Sequence, residues 1–122
     1  GKIVTTTSIP AGYGVRQETA YAVSKSAVLH LTRCVATEMR AYDINVNCIA
    51  PGATLTGRFQ ATIKDRSAVD KEKILACDAS FLNKPAEPKY ISSVVEFLLS
   101  PASDYISGQV IRIDGGQFTS PI

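Results

Sequence analysis

Short runs of β-branched and apolar residues alternate along this chain with longer stretches in which apolar residues recur every three or four positions. The first run, residues 2–8, is rich in Val, Ile and Thr and begins directly at the start of the sequence. Runs of this kind are typical of strands, so we predict one over residues 2–8 and two more over residues 44–50 and 109–113.

The helical spacing predicts a long helix with its N-cap at Thr19, running to about Tyr42, and a second helix over residues 87–100. Pro101 should end the second helix. Residues 57–85 have helical character but mixed periodicity, and we interpret them as a lid or insertion.

The predicted order is strand, helix, strand, lid, helix, strand, which implies parallel strands joined by helical crossovers. We therefore expect an α/β fold, namely the C-terminal half of a doubly wound, Rossmann-type parallel sheet in which three strands with flanking helices are present. In such sheets a ligand binds in the crevice at the carboxyl ends of the strands.

Composition places the chain among folded domains and excludes several classes of function. It is 45% hydrophobic and 20% charged, and its 13 basic and 11 acidic residues are scattered. This pattern gives no electrostatic footprint for nucleic acid. The sequence has no apolar stretch of the ~20 residues that a membrane span needs and no signal pattern at its first residues, so we expect a cytoplasmic protein with no membrane partner.

The cysteines and the histidine argue against a metal site. Cys34, Cys48 and Cys77 are odd in number and widely spaced, which fits reduced thiols better than disulfides or zinc ligands. His30 is the single histidine and lies in an apolar helical stretch, where we expect a surface or packing role. We predict no bound metal.

Tyr21 and Lys25 are four positions apart in the long predicted helix, so their side chains share one face about one turn apart. A free tyrosine has a pKa of about 10, and a neighbouring positive charge is what would let a phenol exchange protons near neutrality. Taken alone, such a pair also fits an ordinary solvated helix face.

Three further features fall where the predicted strands end. Ser8 closes the first strand, the stretch Pro51-Gly-Ala-Thr54-Leu-Thr56 follows the second, and Asp114-Gly-Gly follows the third. Glycine lets the backbone approach a flat ring closely, and hydroxyls can hydrogen-bond an amide. Each feature also has an ordinary explanation as a turn or a capping residue.

Taken together, these features resemble the short-chain dehydrogenase/reductase family from Gly1 to about Gly116. The stretches that carry the resemblance are residues 3–8, Tyr21-Ala-Val-Ser-Lys-Ser-Ala-Val, Asn45-Val-Asn-Cys-Ile-Ala-Pro-Gly with Thr56, and Tyr105-Ile-Ser-Gly-Gln-Val-Ile-Arg-Ile-Asp-Gly-Gly. The resemblance implies an NAD- or NADP-dependent oxidoreductase that interconverts an alcohol and a ketone or aldehyde. Relatives that open epoxides carry Arg at the position of Lys25, and enoyl reductases space the tyrosine and lysine further apart.

The resemblance also implies a role for each candidate site residue. Tyr21 exchanges a proton with the substrate oxygen, Ser8 hydrogen-bonds that oxygen, and Lys25 stabilises the phenolate and holds the nicotinamide ribose. Residues that line the nicotinamide, besides Tyr21 and Lys25, would be Pro51, Gly52, Thr54 and Thr56. The small-molecule substrate would be bound by Ser8 and by Tyr13, whose loop forms the pocket together with residues 57–85.

One part of the family pattern is absent from these residues. No glycine-rich strand-to-helix turn that could cradle a pyrophosphate occurs in the sequence. We therefore expect activity only when a second chain or segment supplies that N-terminal, cofactor-binding half, and we expect an oligomer, as is usual in the family. The alternative is a non-catalytic assembly or binding subunit that keeps the fold.

Overall fold

The computed structural model describes residues 1–14, 16–76, 82 and 84–119. Cys77, which we predict to be a reduced thiol, lies outside the described residues. The strands and helices, numbered in chain order, are β1 (Lys2–Thr6), α1 (Thr19–Met39), β2 (Asn45–Pro51), α2 (Gly57–Ile63), α3 (Ala68–Ala76), α4 (Pro88–Leu99) and β3 (Val110–Ile113). Short 3-10 turns follow β1, α1 and α4 at Ile9–Gly12, Arg40–Tyr42 and Pro101–Ser103.

The predicted element order is confirmed, and two boundaries are corrected. The first strand ends at Thr6 instead of Ser8, because the chain there enters the 3-10 turn that contains Pro10. The N-cap of α1 is Glu18 and not Thr19: Glu18 has a non-helical backbone, and its carbonyl accepts the bond from the Ala22 N–H at 2.8 Å. The predicted lid contains two short helices, α2 and α3.

The three strands form one parallel sheet in the order β1, β2, β3, as expected for half of a doubly wound fold. Thr6 is paired with Ile49, and Pro51 is paired with Ile113. The carboxyl ends of all three strands therefore meet at the same edge of the sheet.

The central strand β2 holds the core. Residues 46–50 are all buried, with Cys48 and Ala50 fully inaccessible. A strand covered on both faces has mostly apolar residues at successive positions, and here Asn47 is the polar exception. Among the described residues β1 pairs only with β2, and Ile3 on β1 is 42% exposed.

Helices cover both faces of the sheet. Thr5 of β1 shares a 2.6 Å hydrogen bond with Thr32, which is fully buried on α1. Lys2 points the opposite way, since its Nζ donates to Ser103 Oγ at 3.3 Å and pairs with Asp104 at 2.8 Å, just after α4. Because successive strand residues point to opposite faces, α1 and the end of α4 lie on opposite sides of β1.

Other sequence expectations concern the cysteines and His30. Cys34 is exposed and Cys48 is buried, and both are free thiols. His30 is exposed on α1, in agreement with the expected surface position. Across the ranges that the structure describes, no helix has the length and apolar character to cross a membrane, and no three potential metal ligands cluster.

Asn47 is a buried polar residue that fixes the connection between β2 and β3. Its side chain is 1% exposed; Nδ2 donates to the Ile106 carbonyl at 2.8 Å, and Oδ1 accepts from the Gln109 N–H at 3.0 Å. One amide therefore bonds a backbone acceptor and a backbone donor just before β3 begins, and the Ile106 carbonyl also accepts from Asn45 Nδ2 at 3.0 Å.

We expect Asn47→Leu to lower the free energy of unfolding by about 1–3 kcal/mol, because the part-buried Gln109 N–H would lose its acceptor. Gln109→Leu is the matched control, since it removes an amide whose hydrogen bond to the Ser107 carbonyl is exposed. Urea denaturation of both variants measures the difference. Equal stabilities would contradict the role assigned to Asn47.

Candidate active site

The start of α1 is attached to the end of β1 by two hydrogen bonds. Thr7 Oγ1 donates to the Lys25 carbonyl at 2.7 Å, and Lys25 Nζ donates to the Thr6 carbonyl at 3.3 Å. Thr7 is 2% exposed, so the first bond is shielded from water. These contacts hold the Lys25 side chain beside the carboxyl end of β1.

Tyr21 and Lys25 lie together, as their spacing predicts. Lys25 Nζ is 5.9 Å from the centroid of the Tyr21 ring. Tyr21 is 42% exposed, so its phenol is accessible from outside this part of the chain. The positive charge of Lys25 therefore lies beside the accessible phenol of Tyr21.

Ser8 lies in the loop next to this pair. It precedes the Ile9–Gly12 turn, where its side chain makes no capping hydrogen bond. Ser26 of α1 holds that turn, since its Oγ is 2.7 Å from the Ala11 carbonyl and 2.9 Å from the Ala22 carbonyl. The structure thus brings the loop of Ser8 against the first turns of α1, and the Ser8 hydroxyl is not used in the local cap that its position would suggest.

Pro51 is the last residue of β2, and Gly52 follows it at the edge of the sheet where the chain after β1 continues to Ser8. The Thr7 N–H donates to the Ile49 carbonyl at 2.9 Å, which extends the β1–β2 pairing by one residue. The Gly52 N–H donates to the Ile113 carbonyl at 2.9 Å, and a Cβ on Gly52 would lie 3.0 Å from both Cα and Cβ of Asp114. Any larger residue would therefore be crowded here against the loop that follows β3.

Thr54 and Thr56 use part of their hydrogen-bonding capacity locally. Thr54 Oγ1 donates to the Gly52 carbonyl at 3.0 Å, and Thr56 is the N-cap of α2, where its Oγ1 accepts from the Phe59 N–H at 3.2 Å. Thr54 also forms an isolated parallel bridge with Ala86. That bridge ties the two ends of the lid together beside the candidate site.

Tyr13 packs against the chain that follows β3. Its ring centroid is 4.2 Å from that of Phe118, and the Arg112 guanidinium is 5.8 Å from the Tyr13 ring centroid. Burial raises the pKa of Tyr13, the charge of Arg112 opposes this rise, and the carboxylate of Asp114 adds to it. The substrate-binding role of Tyr13 stays a prediction.

Sequence reasoning missed the residues that hold the site together. The Lys25 carbonyl accepts a hydrogen bond from Thr7, and the turn after Ser8 is held by Ser26. The two ends of the lid are joined by the bridge of Ala86 with Thr54. Threonine in a strand and serine in a helix are common and carry no local signal of a tertiary contact. Only the folded arrangement reveals their partners.

Comparison with known proteins identifies the family. The family model described as enoyl-(acyl carrier protein) reductase matches residues 1–117. The chain belongs to the short-chain dehydrogenase/reductase family. This finding confirms the resemblance inferred from Ser8, Tyr21, Lys25 and the strand-end motifs.

Curated relatives in the short-chain dehydrogenase/reductase family are similar over almost all of the chain. The 3-oxoacyl-(acyl-carrier-protein) reductase of Thermotoga maritima is 35% identical over 95% of this chain and 45% of its own length. Levodione reductase of Leifsonia aquatica is 34% identical over 96% of the chain and 45% of its own length. The chain thus spans under half the length of these relatives.

Solved structures give the same result. A crystal structure of levodione reductase superposes with a TM-score of 0.86 at 34% identity, covering 96% of this chain and 46% of its own. A 7α-hydroxysteroid dehydrogenase in complex with NADH and 7-oxo glycochenodeoxycholic acid has a TM-score of 0.85 at 35% identity, covering 95% and 44%. This chain therefore corresponds to a little under half of each of these structures.

We expect Gly52→Ala to destabilise this short-chain dehydrogenase/reductase by about 1–3 kcal/mol, because the added methyl group meets backbone atoms that cannot rotate away. Gly57→Ala is the matched control, since a Cβ at Gly57 meets nothing within 4 Å. Thermal unfolding measures both variants. If the two variants unfold alike, the close packing of Gly52 on Asp114 is not needed for stability.

Proposed function

We propose that these residues form the catalytic half of an NAD- or NADP-dependent oxidoreductase that interconverts an alcohol and a ketone or aldehyde. The observation that carries the proposal is the attachment of Lys25 to the end of β1, which holds its charge beside the accessible phenol of Tyr21 and next to the loop of Ser8. Relatives named as reductases and dehydrogenases support the same reaction class.

Tyr21 is the acid and base of the proposed reaction. During reduction its phenol donates a proton to the carbonyl oxygen of the substrate, and during oxidation the phenolate removes the proton from the alcohol. The Ser8 hydroxyl donates a hydrogen bond to the same oxygen, and the Lys25 ammonium stabilises the phenolate by its charge. The bound nicotinamide supplies or accepts the hydride.

The free hydrogen-bonding capacity of two threonines fits the carboxamide of a nicotinamide. Thr54 Oγ1 already donates to the Gly52 carbonyl, so it can accept a bond from the amide NH₂ group. Thr56 Oγ1 already accepts from the Phe59 N–H, so its own hydrogen is available for the amide carbonyl. Pro51 and Gly52 would provide the surface beside the ring, and Lys25 would contact the ribose.

The pyrophosphate and adenosine are assigned to a glycine-rich segment that is not among these 122 residues. Two observations support this assignment: the sequence has no glycine-rich strand-to-helix turn, and the chain spans 45% of the length of its relatives. One side of β1, where Ile3 is 42% exposed, has no partner strand among the described residues and is the edge at which another strand would add. The same segment would select NAD or NADP.

The reaction at a C–O bond is favoured over reduction of a C=C bond. The matching family model is described as an enoyl reductase, but the four-residue spacing of Tyr21 and Lys25 is the one that the resemblance associates with alcohol and ketone chemistry. Parallel assays of a ketone and an enoyl thioester with the same cofactor test this preference directly.

Tyr21→Phe in the protein containing this chain should lower kcat/KM for carbonyl reduction by about 10²-fold or more, because it removes the proposed proton donor to the substrate oxygen. Cofactor affinity should change little, since the ring and Lys25 remain. Initial rates and fluorescence titration with the reduced cofactor measure the two quantities.

Tyr42→Phe is the control for this substitution, because Tyr42 is 70% exposed at the opposite end of α1. It should leave both quantities unchanged. Full activity in Tyr21→Phe would contradict the acid and base role of Tyr21, whereas no carbonyl reduction by the completed wild-type protein would favour the alternative function, a non-catalytic assembly subunit that retains the fold.

The 122-residue chain alone should neither bind a nicotinamide cofactor tightly nor reduce ketones, whereas addition or fusion of the glycine-rich half should restore both activities. Calorimetric titration with NADH and NADPH, together with rate measurements, compares the two preparations. Appreciable turnover by the isolated chain would contradict the requirement for a second half.

An oligomer is part of the proposal, as is usual for this family. The outward side chains of Val23 and Leu31 on α1 are 64% and 57% exposed, which leaves apolar surface for association. Light scattering of the completed protein measures its stoichiometry.

A further inference from the structure

Two aromatic rings that are remote in sequence join the loop of Ser8 to the chain after β3. The centroids of Tyr13 and Phe118 are 4.2 Å apart, and the ring planes are inclined by 31°. We call this pair the aromatic clasp. Its two residues lie in the segments that follow the two outer strands of the sheet, so the clasp spans the edge at which the candidate active site lies.

Asp114 folds the chain so that Phe118 reaches its partner. Its carboxylate accepts the Gly116 N–H at 3.0 Å and the Phe118 N–H at 3.1 Å. Gly115 and Gly116 have φ values of 64° and 79°, which few other residues adopt without strain. The Asp114-Gly-Gly sequence thus serves here to turn the chain back over the sheet.

Arg112 secures the clasp from β3. Its Nη1 donates to the Phe118 carbonyl, and its guanidinium lies 5.8 Å from the Tyr13 ring centroid. The Tyr13 hydroxyl oxygen is buried and has no hydrogen-bond partner within the described part of the chain. Tyr13 is therefore held by its ring, through stacking and the nearby cation, and not by its hydroxyl.

A tight turn connects the clasp to Ser8. The Ala11 N–H donates to the Ser8 carbonyl at 3.0 Å, and the Tyr13 N–H donates to the Pro10 carbonyl at 3.4 Å. Ser26 holds the middle of this turn on α1 through the Ala11 carbonyl. The turn thus has one attachment to the helix and a second to the chain after β3, and the second is the clasp.

We propose that Phe118 is a positioning residue that acts through Tyr13 to fix the Ser8 hydroxyl against the substrate oxygen. The proposal rests on the proposed function of Ser8. It assigns to the segment after β3 a part in the geometry of the catalytic hydrogen bond, although no residue of that segment needs to touch the substrate.

The test is a double-mutant cycle in the full-length protein that contains this chain. Phe118→Ala should lower kcat/KM for carbonyl reduction by about 10- to 100-fold, the range expected when a catalytic group is displaced by up to about 1 Å. In a Ser8→Ala background the same substitution should cost less than about 3-fold, because the group that it positions is already missing.

Conservative and control variants separate positioning from general damage. Phe118→Tyr keeps the stacking face and should retain near-normal kcat/KM, and Phe118→Leu, which keeps apolar volume without the ring, should behave like Phe118→Ala. Phe97→Ala, at a 40% exposed position on α4, should leave kcat/KM unchanged. An equal loss from Phe118→Ala in the two Ser8 backgrounds, or no loss at all, would overturn the proposal.

A second measurement does not depend on activity. Amide hydrogen exchange at Ala11 and Tyr13 should accelerate in Phe118→Ala and Phe118→Leu, and it should not accelerate in Phe97→Ala. Unchanged exchange at these two amides in the Phe118 variants would overturn the proposed positioning role of Phe118, even if Tyr21→Phe abolishes activity. Faster exchange together with full activity in Tyr21→Phe would show that the proposed function has failed while the clasp itself is present.

Discussion

The parallel pairing of β2 with a strand on each side is the constraint on which the rest of the structure depends. The register of Thr6 with Ile49 and of Pro51 with Ile113 brings three chain segments out of the sheet at one edge. Residues far apart in sequence become neighbours there. Burial of residues 46–50 provides the apolar stabilisation of this arrangement, and Asn47 satisfies the backbone where pairing with β3 is about to begin.

Polar contacts then convert this common edge into a precise site. Thr5 and Thr32 join β1 to α1 inside the protein, and Thr7 adds a second attachment close to Lys25. Such buried bonds cost little when both partners are present and much when one is lost, so they fix one position of the helix on the strand. The charge of Lys25 is held beside Tyr21 as a result, while the phenol itself remains accessible.

The order of the elements and the proximity of Tyr21 to Lys25 could be predicted from sequence, because strand period and helix period are local signals. The exact start of α1 could not, since Glu18 is not among the residues that favour an N-cap and only its backbone conformation identifies it as one. The stacking of Tyr13 on Phe118 was also beyond reach. It depends on where two loops leave the sheet, which the amino-acid pattern of either loop does not encode.

The most direct test of the central claim is to follow the hydride and the proton in one experiment. The completed protein would be given a ketone and a reduced nicotinamide cofactor carrying deuterium at both hydrogen positions of C4, and the product would be analysed by mass spectrometry. We expect one deuterium at the carbinol carbon in the wild-type product and very little labelled alcohol from Tyr21→Phe in the same time. Alcohol formed without the label, or labelled at the wild-type rate by Tyr21→Phe, would contradict it.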